Sequence, residues 1–188
     1  MRESVSLVGP KCCGKTLTGK ELARILGVPF VDADERFVEM YGSVNEFVQK
    51  NGWERFREYE ARILGQICAQ YHDSQIVLTP GGGAVAHDQG DKYREQNAVR
   101  LRELGTVVYL LPGSNLEKSS RILTERLLAD QKSAEQRPSL TGEEDQFKDM
   151  LETVKKRHPL YSAAANTIFY TRSKSVKEVA QDIAELMK

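Results

Sequence analysis

Cysteine is scarce in this chain. Three occur in 188 residues, two of them adjacent at Cys12 and Cys13. So few thiols exclude a disulfide scaffold and fit a reducing compartment. Net charge is also missing, because 27 Lys and Arg balance 27 Asp and Glu. That removes the electrostatic case for nucleic acid or an anionic membrane as partner. No apolar run approaches the roughly 18 residues of a membrane span, and mean hydropathy is −0.49. The first apolar run, Val5 to Val8, starts within about five residues, so no secretory leader is expected. The expectation is a cytoplasmic protein. With no net charge and no evident apolar stripe, it is expected to be a monomer. Its length suits one domain with a core of its own, residues 1–188.

What is present starts directly after that run. Gly9-Pro10-Lys11-Cys12-Cys13-Gly14-Lys15-Thr16 reads G-x-x-x-x-G-K-[ST], between a strand pattern and a helix pattern. Glycines let the backbone wrap a phosphate chain, and loop N–H groups point inward at it. The following helix adds partial positive charge at its N-terminus. Lys15 is expected to reach the β- and γ-phosphates of ATP, and Thr16 to offer a hydroxyl to Mg²⁺.

Strand and helix patterns alternate along the rest of the chain. Strands are expected over 4–9, 29–32, 75–79, 106–111 and 167–170. Helices are expected over 15–26, 35–41, 44–50, 53–70, 92–104, 116–129, 146–157 and 175–187, several bounded by Gly27, Gly105 or Pro159. The polar stretch 130–145 reads as a mobile loop. Five strands alternating with helices imply an α/β fold with a parallel sheet covered on both faces. Ligands in such folds sit at the carboxyl ends of the strands.

The residues after each strand therefore carry the functional reading. Asp32-Ala33-Asp34 follows the second strand. Extended alternation would put both carboxylates on one side, one to hold Mg²⁺ through water and one to accept a proton from a hydroxyl. The other reading is a helix cap by Asp34 with Asp32 in solvent. Gly81-Gly82-Gly83 follows the third strand and suggests backbone approaching a ligand, or a flexible turn. Arg57 lies near the start of a helix beside Phe56 and Trp53, and suits planar recognition of a carboxylate. Arg55 and Arg62 on that helix read as surface charge. Arg137, in the polar stretch, could close over a γ-phosphate. Arg157 is either a helix C-cap cation or a second anion clamp.

Together these segments resemble the shikimate kinase family of small P-loop kinases. The resemblance rests on Gly9–Thr16, Asp32-Ala33-Asp34, Gly52 to Glu60, Gly81-Gly82-Gly83-Ala84-Val85, Arg137-Pro138-Ser139-Leu140 and Arg157-His158-Pro159-Leu160-Tyr161, in the family's order. It implies a three-layer α/β/α, nucleoside-monophosphate-kinase-like fold. A substrate-binding helical region would lie at about 33–62 and a lid at about 130–145. It implies Mg-ATP-dependent phosphorylation of the shikimate 3-hydroxyl, a step toward aromatic amino acids. Asp34 would orient or deprotonate the attacking hydroxyl. Arg57 and Arg157 would bind the carboxylate, and Gly81, Gly82 and Gly83 would line the substrate. Lys15 and Arg137 would stabilise the transferring group, Thr16 and Asp32 would hold Mg²⁺, and Arg121 would stack on adenine. The chain departs from the family at Cys12, where glycine is usual, at Cys13, and at Ser139 in the lid. A gluconate-type polyol acid kinase and a non-catalytic nucleotide-binding relative are the alternatives.

Overall fold

A computed structural model describes residues 3–88, 92–129, 145–171 and 173–187. The strands are β1 (Ser4–Val8), β2 (Phe30–Asp32), β3 (Val77–Thr79), β4 (Gly105–Leu111) and β5 (Thr167–Tyr170). They form one parallel sheet in the order β2-β3-β1-β4-β5. Every residue of β1 and the last five of β4 are buried. A strand covered on both faces reads as a continuous apolar run, which is how the buried part of β4 looks in the sequence, while β1 carries the buried Ser4 and Ser6 between its apolar residues.

The helices are α1 (Lys15–Leu26), α2 (Ala33–Tyr41), α3 (Val44–Gln70), α4 (Lys92–Leu104), α5 (Leu116–Ala129), α6 (Gln146–Ala164) and α7 (Val176–Leu186). α1 packs on α7, α3 on α4 and α5 on α6, and these pairs enclose the sheet. No helix of the described residues is long and apolar enough to cross a membrane.

Local chemistry explains the boundaries. Gly27 ends α1 in the left-handed conformation at φ 69°. Ser175 opens α7 with a capping box to Glu178. α3 is two helical stretches merged across Gly52, whose φ of 81° is non-helical. The two helices expected at 44–50 and 53–70 are thus present, joined by a kink.

Two expectations need correction. α6 does not stop before Pro159 but runs on to Ala164. A proline in a helix costs about 3 kcal/mol through a lost hydrogen bond and a ring clash. Here the last turn buries Tyr161 and Ala164 in the core, and full burial of large side chains returns a comparable amount. The second correction concerns Asp32 and Asp34. The strand ends at Asp32, and Asp34 already lies in the first turn of α2, so they are not alternating residues of one extended segment. The helix cap is Asp32, which accepts from the N–H groups of Asp34 and Glu35.

Candidate active site

The phosphate loop joins β1 to α1. Gly9 has φ 146°, and a Cβ there would sit 2.6 Å from the Leu110 carbonyl and 2.9 Å from Cys13 Sγ. Gly14 caps α1 at φ 95°. Cys12 is also left-handed, at φ 62°, the only non-glycine residue with positive φ among those described. The loop therefore has the glycine-like backbone its motif requires, although a cysteine holds that place. Lys15 Nζ donates to the carbonyls of Gly9 at 2.9 Å and Pro10 at 2.8 Å. That puts the ammonium over the loop, where phosphate oxygens would lie.

Thr16 donates its hydroxyl to Asp32 Oδ2 at 3.0 Å. The other Asp32 oxygen is fixed by the α2 N–H groups, the nearer at 2.9 Å. One carboxylate is so aimed by a helix end at the P-loop hydroxyl. Among the described residues no group of three or more His, Cys, Asp or Glu could hold a metal alone. A hydroxyl plus one carboxylate fits Mg²⁺, which keeps waters and takes its other ligands from phosphates.

Beside the loop lies a cleft of about 820 Å³. Its walls include Lys11, Asp34, Arg57, Glu60, Gly82, Gly83, Thr153 and Arg157. Arg57 is 3% exposed. Its guanidinium donates to Glu60 Oε2 at 2.8 Å and lies over the rings of Trp53 and Phe56, 5.3 and 5.0 Å from their centroids. Those contacts fix its plane. Arg157 is buried within α6, so of its two readings the C-cap is excluded and the cleft position stands. Arg55 and Arg62 are half exposed and pair with Glu58.

The glycines of the third-strand turn are needed for close approach. A Cβ on Gly81 would stand 2.6 Å from both Asp34 Oδ1 and Glu60 Oε1, and one on Gly83 2.5 Å from the Arg57 nitrogens. Any side chain there would displace the charged groups of the cleft. Tyr161 secures the turn from behind by donating to the Gly82 carbonyl. Burial pushes the Tyr161 phenol pKa well up, so it keeps its proton and remains a donor.

Glu60 was not singled out in the sequence. Burial pushes its carboxyl pKa up, Arg57 opposes that, the nearby Asp34 charge adds to it, and Arg157 opposes it more weakly. The signal was available: Arg57 and Glu60 are opposite charges three apart on one helix. Lys11 and Asp149 were missed as a pair. They meet at 3.7 Å with both side chains largely buried and tie the phosphate loop to α6.

Arg121 lies on α5 outside the cleft walls. It pairs with Glu117 at 3.0 Å and covers the Phe147 ring at 4.6 Å. Arg137 and the expected lid fall within 130–144 and lie outside the described residues.

A phosphate loop facing a cleft with two buried arginines and a carboxylate defines a P-loop kinase acting on a small anionic molecule. A family profile described as shikimate kinase matches residues 11–188. Shikimate kinase 2 of Yersinia enterocolitica is 33% identical over 188 residues, covering 100% of this chain and 97% of that protein. Shikimate kinase of Syntrophus aciditrophicus is 35% identical, covering 96% of this chain and 88% of that protein. The structure of shikimate kinase from Acinetobacter baumannii in complex with shikimate superposes with a TM-score of 0.82. It is 28% identical, over 98% of this chain and 92% of that one. A gluconokinase from Sinorhizobium meliloti shares the fold, with a TM-score of 0.58 at 17% identity over 99% of this chain and 91% of that one. The chain belongs to the shikimate kinase family. It is an ATP-dependent phosphotransferase with an alcohol as acceptor.

Proposed function

We propose that this chain moves the γ-phosphoryl group of ATP to the 3-hydroxyl of shikimate, giving shikimate 3-phosphate and ADP, in the route to aromatic amino acids. The observation that carries this reading is one cleft, beside the phosphate loop, holding buried Arg57 and Arg157 with Asp34. A carboxylate flanked by hydroxyls suits that set. Arginines bind the carboxylate in planar fashion, and Asp34 orients the attacking hydroxyl and takes its proton. The relative of known structure that contains shikimate supports this choice over gluconate, for which the likeness is one of fold.

Gly9 to Thr16 hold the phosphates, and Lys15 follows the charge that develops on the transferring group. Thr16 and Asp32 would hold Mg²⁺, which would supply charge neutralisation at the transferring phosphates. Arg137 neutralises charge at the γ-phosphate, and Arg121 stacks on adenine. We further propose a monomer in the cytoplasm, a reducing compartment that suits a chain with three cysteines.

A coupled ADP-release assay with Mg-ATP tests this, comparing shikimate, gluconate and no acceptor. Turnover with shikimate alone is expected. Turnover only with gluconate would overturn the substrate. Tight ADP binding without acceptor-dependent turnover would favour a non-catalytic relative.

A further inference from the structure

The α6 helix brings Asp149, Thr153, Arg157 and Tyr161 to one side at successive four-residue steps, and all are buried. Side chains at that spacing share a helix face. Three of these residues have work described above. Asp149 holds Lys11, Arg157 stands in the cleft, and Tyr161 holds Gly82. Thr153 has none.

Its hydroxyl is nevertheless unusual. Thr153 is 5% exposed, and Oγ1 has no hydrogen-bond partner among the described residues. A buried hydroxyl without a partner is costly. A helical Ser or Thr has an easy remedy, because it can donate to the carbonyl one turn back. Others in this protein do so: Ser120 to Leu116, Thr124 to Ser120, and Ser162 to His158 on α6 itself, at 2.8 to 2.9 Å. Thr153 does not. It lines the cleft instead, one turn from Arg157 and on the side toward Lys11 and the phosphate loop. Two buried polar atoms of the cleft walls lack a partner among the described residues, Thr153 Oγ1 and Arg157 Nε, and both belong to this helix face.

We infer that Thr153 is a specificity-determining residue that hydrogen-bonds a hydroxyl of the acceptor. The contact lies between the carboxylate held by the arginines and the phosphate loop. This rests on the shikimate-phosphorylating reading above and adds a contact to it. The hydroxyl can both donate and accept, so it suits an alcohol of either orientation. An acceptor lacking a hydroxyl there would leave Thr153 unsatisfied, which discriminates more strongly than an apolar contact does.

Steady-state kinetics of Thr153→Val and Thr153→Ser test this, with thermal melts of each. Valine keeps the shape and removes the hydroxyl. The expected result is a shikimate KM raised about 3- to 10-fold in Thr153→Val, the range for one neutral hydrogen bond. kcat and the KM for Mg-ATP should stay near wild type. Thr153→Ser should recover most of the shikimate KM. The valine variant should melt no lower than wild type, since it buries a methyl in place of an unsatisfied hydroxyl. Equal KM values in wild type and Thr153→Val would overturn the inference. So would a lower melting temperature with unchanged KM, the mark of a packing role. A wild type inert toward shikimate would overturn the functional reading itself, and so is told apart from failure of this contact alone.

Discussion

Arg57 donates to Glu60 across 2.8 Å, one turn along α3, with both side chains closed to solvent. An unpaired charge of either sign at that depth would be strongly unfavourable. Each residue therefore permits the other, and the pair presents a fixed guanidinium to the cleft. The same relation shapes what substitution should do.

Arg57→Ala is expected to raise the shikimate KM about 10- to 100-fold, the range for a lost charge-assisted hydrogen bond. ADP affinity should change little, because Arg57 stands on the acceptor side of the cleft. Arg57→Lys keeps a charge for Glu60 but loses the planar fork, and should also raise KM. Unchanged KM in both variants would remove the carboxylate role.

Asp34→Asn keeps the size of the side chain and removes its basicity. Phosphoryl transfer should fall by about 100-fold or more, the usual scale for general acid–base catalysis. Nucleotide affinity, measured by ADP titration, should stay near wild type. Loss of ADP binding would place Asp34 in the nucleotide site instead.

Glu60 gives a pH dependence with a definite sign. Its carboxyl pKa lies above the ordinary 4.5 in the folded state, because burial disfavours the charge more than Arg57 restores it. The folded chain thus binds this proton more tightly than the unfolded chain. That contribution to stability is present below 4.5 and is lost as pH rises through the folded value. Glu60→Gln lacks the titration. Its stability relative to wild type should therefore climb from pH 4.5 toward neutrality, as followed by urea denaturation at several pH values. A difference independent of pH would contradict the assignment.

Cys12 sits at φ 62° without being glycine. The left-handed region costs an ordinary residue about 1–2 kcal/mol. The extra unfolded-state freedom of glycine offsets about 0.5–1 kcal/mol of any gain. Strain wins, so Cys12→Gly should raise the melting temperature by roughly 2–4 °C. A lower melting temperature would show that Cys12 packing outweighs its backbone strain.

Thiol labelling offers an independent check on the loop. Cys13 is 2% exposed, and burial pushes the Cys68 thiol up to about 11. Cys12 is partly exposed at the loop and should take the fastest alkylation. ADP should slow labelling there, as peptide mapping would reveal. Equal rates with and without ADP would disconnect Cys12 from the nucleotide.

Much of this was legible in the sequence because it was punctuated. The bounds of α1, α4 and α5 agree with expectation, and Gly27 and Gly105 mark two of those ends. The phosphate loop, Arg57 and the glycine turn were readable because few residue types perform those tasks. Pro159 misled, since its local cost is visible in sequence while the burial of Tyr161 is a tertiary matter. Asp32 and Asp34 exchanged capping roles because the strand ends at Asp32, two residues short of what alternation needs. Arg157 stayed ambiguous until α6 proved continuous. Thr153 was silent, because only packing distinguishes a buried hydroxyl from the exposed threonines of any helix.

The sheet order has a further consequence for how the chain is made. β1 is made before both of its partners, since Val5 pairs with Val77 on one side and Thr106 on the other. One edge of the central strand therefore stays unpaired until β3 is made, and the other until β4, at residues 105–111, follows. Pairings so distant in sequence form slowly. In the interval the bare apolar ribbon ahead of the phosphate loop is the segment most open to wrong partners. A nascent chain stalled before β4 should be the form that chaperones hold longest.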